Sequence, residues 1–276
     1  MHFFPFVIIF KESNMSKICP LFSGSTGNST YIGTENGGIL IDAGGSFKSI
    51  SAALERAGSS ASDVKALVIT HQHDDHIKGI RPFLNKTKAD VIASSKTLEA
   101  LIAYDKIPAG IKTIAIDDSP LEVSGIAINR FATSHDCEGS SGYSFILPDG
   151  KKFSLCTDLG FVSEEIRNEL NGSFAVLLES NHDIEMLKKG PYPPTLKVRI
   201  LSDKGHISNS ACSAELAELL KSGTTRFILG HLSQTNNTPL LAKSSAEASL
   251  MDLGAVNGKD YILTVASPYE NGVTVI

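Results

Sequence analysis

The sequence predicts a mixed α/β (α+β) fold in which two mixed β-sheets lie face to face with helices outside them. Predicted strands and helices follow one another irregularly in both halves of the chain, unlike the strict alternation of a doubly wound parallel sheet. Hydrophobic residues make up 42% and charged residues 20% of the 276 residues, which is typical of a globular chain with a large core. No segment has the composition of a linker, so residues 15–276 are predicted to form a single domain.

The first half of the chain contains mainly short strands bounded by turn residues. A glycine- and serine-rich turn follows the first strand, and Glu35-Asn36-Gly37 joins the next two as a hairpin. The segment 47–57 has helical spacing, with Ile50, Leu54 and Ala57 on one face. The predicted strands here are 18–22, 29–32, 38–42, 66–70, 91–93, 111–116 and 126–131, and the predicted helices are 47–57 and 98–104.

The second half has the same character. Pro148-Asp149-Gly150 closes a hairpin, and Ser163 is a suitable N-cap for the helix that follows it. The proline-rich segment 190–194 is expected to break any helix there. The predicted strands are 143–147, 152–156, 174–179, 226–229 and 261–265, and the predicted helices are 163–170, 208–220 and 239–251.

Charge and cysteine content narrow the classes of function. Thirty acidic and 25 basic residues give a net charge of −5, which excludes a broadly basic surface but allows a local basic patch. The four cysteines are isolated in the sequence, which is typical of a reducing compartment and predicts a cytoplasmic location. No apolar run reaches the roughly 18–20 residues that span a bilayer, so no membrane partner is expected. The sequence does not predict the oligomeric state.

The first 14 residues are predicted to be a non-native or disordered N-terminal extension. They are apolar, but they lack the basic region and the small-residue cleavage site of a secretion signal. Met15 stands directly before the first predicted strand, so it is the expected natural start.

The strongest chemical signal is the motif His71-Gln-His73-Asp-Asp75-His76 at the end of a predicted buried strand. Chance gives this pattern in about 4 of 10,000 chains of this length and composition. An extended stretch aims the His71 and His73 imidazoles the same way, and Asp75 and His76 then open a turn or helix. One loop can therefore supply two ligands to each of two divalent cations, and the alternative is a solvated histidine loop.

Further metal ligands are predicted where other strands end, at His135, Asp158 and His231. Polar residues at strand ends face one edge of an α/β scaffold, which is where such folds place their sites. Each of the three, taken alone, is more often a surface or capping residue. Together with the histidine motif they indicate a dinuclear metal site.

This ordered series of residues resembles the five motifs of the metallo-β-lactamase-fold hydrolase superfamily. The matching positions are Asp42, His71, His73, Asp75, His76, His135, Asp158 and His231. The resemblance covers the chain from Ile18 onward, and it implies an αββα sandwich with the metal site between the upper edges of the sheets.

The same resemblance implies a role for each matching residue. It implies that His71, His73 and His135 hold the first metal ion. It implies that Asp75, His76 and His231 hold the second. Asp158 is implied to bridge the two ions together with a hydroxide, and Asp42 to support the ligands from behind.

Several features discriminate among branches of the superfamily. Asp158 stands where a zinc β-lactamase would carry cysteine, and His73 stands where flavin-linked di-iron reductases carry glutamate. The segment between Asp158 and His231 is too short for the insert of RNase J-type nucleases, and no arm of the tRNA-processing type is visible. Four strings resemble the bacterial YycJ/WalJ group, which is associated with 5′-to-3′ exonuclease action on DNA: 23–30, 178–183, 201–209 and 229–237. The chain departs from that group after His135, where it has Cys137 and no proline.

A proton donor is also implied. His206 precedes His231 by 25 residues, close to the spacing of two histidines in RNase Z-like nucleases. By that resemblance His206 contacts the scissile phosphate and protonates the leaving oxygen, and the alternative is a helix-capping histidine. Glu179 and His182 are expected to support the site near a strand end, while a purely structural role for His182 stays open.

Residues 188–204 form a basic cluster immediately before His206. Lys197, Arg199 and Lys204 in this cluster are predicted to contact the substrate phosphate. The alternative is a solvated charged face.

Together with the resemblance, the sequence predicts a metal-dependent phosphodiesterase, namely a 5′-to-3′ DNA exonuclease acting on DNA ends. Asp75, Asp158 and His206 are the predicted catalytic residues, and a hydroxide activated by two divalent ions is the predicted nucleophile. Histidine and aspartate ligands without cysteine accept Zn²⁺, Mn²⁺ or iron. The alternatives are a hydrolase of small esters or thioesters with the same fold, and a metal-binding regulatory protein.

Overall fold

The computed structural model describes residues 16–269 and 274–275, and the elements below lie within those ranges. The strands are β1 (Lys17–Phe22), β2 (Ser29–Thr34), β3 (Gly37–Ile41), β4 (Val64–Val68), β5 (Asp90–Ala93), β6 (Thr113–Ala115), β7 (Leu121–Val123), β8 (Ile126–Ala132), β9 (Ser141–Ile146), β10 (Lys152–Cys156), β11 (Ala175–Glu179), β12 (Arg226–Gly230), β13 (Ile262–Val265) and β14 (Thr274–Val275). The helices are α1 (Phe47–Arg56), α2 (Asp74–Ile77), α3 (Ile80–Thr87), α4 (Ser95–Ala103), α5 (Glu164–Leu170), α6 (Ile184–Lys189), α7 (Pro194–Ile200), α8 (Asn209–Lys221) and α9 (Pro239–Met251). The predicted extension of residues 1–14 lies outside the described residues and stays a prediction.

The strands form two seven-stranded sheets. The first has the order β14-β1-β2-β3-β4-β5-β6, in which β1 to β3 are antiparallel and β3 to β6 are parallel. The second has the order β13-β12-β11-β10-β9-β8-β7, in which β7 to β10 are antiparallel and β10 to β13 are parallel. Both sheets are mixed, as predicted, because hairpins join neighbours in one half of each sheet and helical crossovers join them in the other.

The sheets pack face to face over a fully buried core. Isoleucines of the first sheet, such as Ile32 and Ile39, meet aromatic residues of the second, such as Phe145 and Phe153. The hydroxyl of Tyr143 in β9 donates to the carbonyl oxygen of Ile69 at 2.9 Å and so ties the two sheets together. Helices α1, α3 and α4 cover the outside of the first sheet, and α5, α8 and α9 cover the outside of the second. The αββα prediction is confirmed.

Helix starts follow the cap chemistry that the sequence contains. Ser163 accepts a hydrogen bond from the amide of Ile166, as predicted for the start of α5. The prediction of a break at 190–194 holds for residues 190–193, but Pro194 is the first residue of α7 because proline is well accommodated in a first helical turn. The sequence left a turn or a helix open at Asp75 and His76, where α2 lies, and it did not predict α3, α6, α7, β7 or β14.

No helix in the described part of the chain has the length and apolar character needed to cross a membrane. The cytoplasmic location stays a prediction.

Candidate metal centre

The loops that follow β3, β4, β8, β10, β11 and β12 bring their polar side chains together at one end of the sandwich. All seven predicted metal ligands meet there: His71, His73, Asp75, His76, His135, Asp158 and His231. The loop after β4 supplies the first four, because β4 ends at Val68 and α2 begins at Asp74. The site therefore assembles from chain segments as far apart as residues 71 and 231.

The first group of donor atoms consists of three imidazoles. His71 Nε2 lies 3.1 Å from His73 Nδ1, which in turn lies 3.2 Å from His135 Nε2. The thiol of Cys137 joins them, so that all four donor atoms lie within 4.8 Å of one another. On its far side, His135 Nδ1 donates to the carbonyl oxygen of Gly205 at 3.2 Å, which fixes the orientation of the ring.

The second group contains Asp75, His76 and His231. Asp75 Oδ2 lies 3.5 Å from His76 Nε2 and 3.4 Å from His231 Nε2. Asn28, which the sequence did not single out as a site residue, donates from Nδ2 to Asp75 Oδ2 at 3.1 Å. This contact joins the glycine- and serine-rich turn to the second group.

Asp158 lies between the two groups. One carboxylate oxygen, Oδ1, is 3.4 Å from His231 Nε2 and 3.9 Å from His135 Nε2. The other, Oδ2, is 3.3 Å from His76 Nε2, and it is buried without a well-formed hydrogen bond among the described residues. A single carboxylate thus reaches both donor groups.

The chemistry of the donors fits divalent cations. Ligand bonds of about 2.1 Å in tetrahedral geometry place neighbouring donor atoms ~3.4 Å apart, which matches the separations found here. Burial, with help from neighbouring His76, holds the pKa of His71 well below its usual value and keeps this imidazole neutral, as a metal ligand must be. Burial alone would raise the pKa of Asp158, but His231, His76 and His71 lower it well below the usual value.

At the second group, nearby carboxylates outweigh burial in setting the pKa values of the histidines. Burial lowers the pKa of His76, but the carboxylates of Asp158 and Asp42 outweigh burial and raise this pKa well above its usual value. The pKa of His231 is likewise raised, since Asp158 and Glu179 outweigh the effect of burial. The carboxylates therefore attract positive charge to this group, and a divalent cation competes with protons for the same nitrogens.

Asp42 lies behind the predicted ligand His76 and binds both its ring and the neighbouring Thr70. Its Oδ2 accepts from His76 Nδ1 at 2.7 Å and from Thr70 Oγ1 at 2.8 Å, and its Oδ1 accepts from the amide of Thr70 at 2.8 Å. Asp42, Asp158 and His231 all have left-handed backbone angles, with φ of 59°, 60° and 54°. Such strain at three site residues is typical of functional positions held in place by their surroundings.

Glu179, at the end of β11, is fully buried and holds two histidines with one oxygen. Its Oε1 accepts from His206 Nδ1 at 2.7 Å and from His231 Nδ1 at 2.8 Å. Its Oε2 accepts from the amides of Leu159 and Ile207, both at 3.3 Å. The orientation of both rings therefore depends on this one carboxylate.

His206 stands at the edge of the donor groups. Its Nδ1 lies 3.8 Å from Asp158 Oδ1, while its Nε2 has no hydrogen-bond partner among the described residues. Burial lowers its pKa, but the carboxylate of Glu179 outweighs burial and raises the pKa above the usual value. Its donor atom also lies within 4.8 Å of those of Asp158, Glu179 and His231.

His182 does not join any of these donor groups among the described residues. Its ring is buried, neither ring nitrogen has a hydrogen-bond partner in the described part of the chain, and burial lowers its pKa to about 4. Its backbone carbonyl accepts from the amide of Asn209 at 2.9 Å, which ties this segment to the start of α8. The hydrogen bond that the structure shows for His182 is thus made by its backbone, and its role at the site stays a prediction.

An open cleft of about 350 Å³, here called the metal cleft, lies over the donor atoms. Of the three predicted phosphate contacts, only Arg199 lines it. The guanidinium of Arg199 binds Asp136 through Nε and Nη2, both at 2.5 Å, and Asp136 Oδ1 lies 3.4 Å from His73 Nε2. Lys197 instead donates to the carbonyl oxygen of Lys188, and Lys204 does not line the cleft.

Comparison with known proteins agrees with this geometry. The family model of the metallo-β-lactamase superfamily matches residues 23–231. The chain belongs to this superfamily. It is 36% identical over 249 residues to the exodeoxyribonuclease YycJ of Bacillus anthracis, and the match covers 90% of this chain and 94% of YycJ. It is also 36% identical over 251 residues to the exodeoxyribonuclease WalJ of Streptococcus pneumoniae D39, covering 90% and 93%.

Solved structures show the same fold at lower identity. The metallo-β-lactamase fold protein YhfI of Bacillus subtilis superposes with a TM-score of 0.69 at 15% identity, and the match covers 95% of this chain and 99% of YhfI. The metallo-β-lactamase fold predicted from the sequence is therefore confirmed.

Within this superfamily fold, the double contact of Glu179 predicts a measurable effect on metal binding. Replacing Glu179 with glutamine is expected to weaken metal affinity or turnover about 10–100-fold, because the amide cannot accept from both histidines as a carboxylate does. Metal titration monitored by calorimetry measures the affinity. Glu215→Gln is the matched control, since Glu215 is also buried but pairs with Arg167 at 2.8 Å, away from the donor groups. Equal loss of affinity in both variants would contradict the prediction.

Proposed function

We propose that this protein is a metal-dependent phosphodiesterase that degrades DNA from the 5′ end toward the 3′ end. The observation that carries the proposal is the pair of donor groups joined by Asp158, with His206 beside them in an open cleft. The identity to proteins named exodeoxyribonuclease, over most of both chains, supports nucleic acid as the substrate and DNA ends as the place of attack.

The proposed ligands divide as the superfamily resemblance implies. His71, His73 and His135 would hold one divalent ion, and the group at Asp75 would hold the other, with Asp158 between them. We propose Zn²⁺ or Mn²⁺ as the ions, with iron as a further candidate, because histidine and carboxylate donors suit all three. When bound, the two cations neutralise phosphodiester charge and lower the pKa of a water molecule, which then acts as nucleophile.

The chain's own residues would orient the substrate and move the proton. Glu179 engages Nδ1 of His206, which leaves Nε2 for the oxygen of the departing nucleotide. We assign His206 the role of general acid, donating a proton from Nε2 to that oxygen as the phosphorus–oxygen bond breaks. Arg199, fixed by Asp136, lies at the cleft wall where a phosphate oxygen would be bound.

A gel assay with purified protein tests the proposal. The substrates are 5′-labelled linear duplex DNA, single-stranded DNA, RNA and a closed circular duplex, each with Mn²⁺, Zn²⁺ or EDTA. We expect metal-dependent loss of linear DNA from its 5′ end, an intact circle and no reaction in EDTA. Cleavage of the circle would contradict an exonuclease. No cleavage of any nucleic acid by the metal-loaded protein would overturn the proposal in favour of small-ester hydrolysis or a regulatory role.

A further inference from the structure

A second cavity, of about 720 Å³, lies beside the metal cleft, and the proposed reaction does not use it. One wall is helix α1, whose residues Ser49, Ala52 and Arg56 face the cavity at a spacing of three and four residues. The opposite side is formed by the turn at Thr26 and by Lys78. We call this cavity the α1 groove.

The α1 groove is cationic although the protein carries a net charge of −5. Arg56 and Lys78 line it, and no carboxylate does among the described residues. Neither cation forms an ion pair within the part of the chain that the structure describes, whereas Arg199 at the metal cleft is bound by Asp136. The hydroxyl side chains of Thr26, Ser46 and Ser49 add hydrogen-bonding groups along the same walls.

The α1 groove adjoins the metal cleft. Ser25 lines the metal cleft and the next residue, Thr26, lines the groove, so a single turn of the chain separates the two cavities. Lys78 follows the proposed ligand His76 by two residues, and its ammonium group donates to the carbonyl oxygen of Thr26. A chain molecule that leaves the metal cleft over this turn therefore enters the groove directly.

We propose that the α1 groove binds the single-stranded DNA backbone that extends beyond the scissile phosphate. This inference rests on the proposed function, and it places the DNA strand that continues beyond the metal cleft. Arg56 and Lys78 would bind successive phosphates, and the hydroxyl groups would donate to phosphate oxygens. Tyr269, which lines the groove and is 69% exposed, offers a ring on which a base stacks.

The test measures binding of metal-loaded protein to fluorescent single-stranded oligonucleotides with hydrolysis-resistant phosphorothioate linkages, three and twelve nucleotides long. Wild type is expected to bind the 12-mer more tightly than the 3-mer, because only the longer strand reaches the groove. In the double variant Arg56→Gln/Lys78→Gln, the affinity for the 12-mer should fall by on the order of tenfold. Two lost phosphate contacts should also reduce the slope of log affinity against log salt by ~1.4.

The control is Lys86→Gln/Lys259→Gln, which removes the same two charges from exposed positions that do not line the groove. Thermal unfolding of both double variants checks that they are folded. Unchanged 12-mer affinity in the groove variant, or an equal loss in the control, would overturn the α1 groove assignment while wild-type binding and cleavage leave the proposed function intact. Failure of wild type to bind or cleave any DNA would overturn the proposed function itself.

Discussion

Replacing Asp158 with asparagine is expected to lower the turnover of DNA at least about a thousandfold, because several kcal/mol of stabilisation depend on correctly held metal ions. Among the described residues, Asp158 is the one carboxylate whose oxygens approach His76, His135 and His231 alike. An amide has the same shape but no charge, and its nitrogen cannot serve as a metal ligand. The bound-metal content, measured by mass spectrometry of the purified protein, should fall with the turnover.

The matched control for Asp158 is Asp74→Asn. Asp74 lies in the histidine motif and at the rim of the same cleft, but its side chain is 89% exposed and its nearest cation is Lys106 at 3.7 Å. This variant loses the same single charge and should keep both metal content and turnover. If Asp158→Asn retained wild-type metal content and turnover, the proposed bridging position of Asp158 would be wrong.

The parts of the fold that the sequence predicted are those with local signals. Turn residues such as Asn36-Gly37 and the N-cap Ser163 specify a hairpin and a helix start without help from distant contacts. Helices α2, α6 and α7 have only four to seven residues each, so their apolar spacing is too short to stand out. Their stability comes from packing, which a sequence pattern does not contain.

In the candidate site, too, the sequence predicted the parts that have a local signal and missed the parts that depend on distant contacts. The residues that gather at the site could be predicted because a polar residue directly after a buried strand is conspicuous in the sequence. The place of Lys197 away from the cleft could not be predicted because α7 was not predicted: Leu196, Arg199 and Ile200 share the helix face that lines the cleft, and Lys197 does not. Cys137 gave one signal, its departure from the expected loop after His135, but nothing local showed that its thiol lies among three imidazoles.

Replacing His206 with alanine is expected to separate proton donation from metal binding. A general acid contributes about 10²–10⁴-fold when the leaving group is a poor one, such as the hydroxyl of a nucleotide. Turnover of DNA should therefore fall by that factor. A bis(nitrophenyl) phosphate ester releases nitrophenolate, which departs without a proton, so its turnover should change little.

The two substrates distinguish the roles that the geometry allows for His206. The alternative role for His206 is that of a metal ligand, because its donor atom lies within 4.8 Å of those of Asp158, Glu179 and His231. A lost ligand would lower metal content and slow both substrates together, whereas a lost proton donor slows DNA alone at constant metal content. Thermal unfolding of His206→Ala shows whether the variant is folded. Equal losses of turnover on both substrates would contradict the proton-donor role, because nitrophenolate needs no proton to depart and its release should not depend on His206.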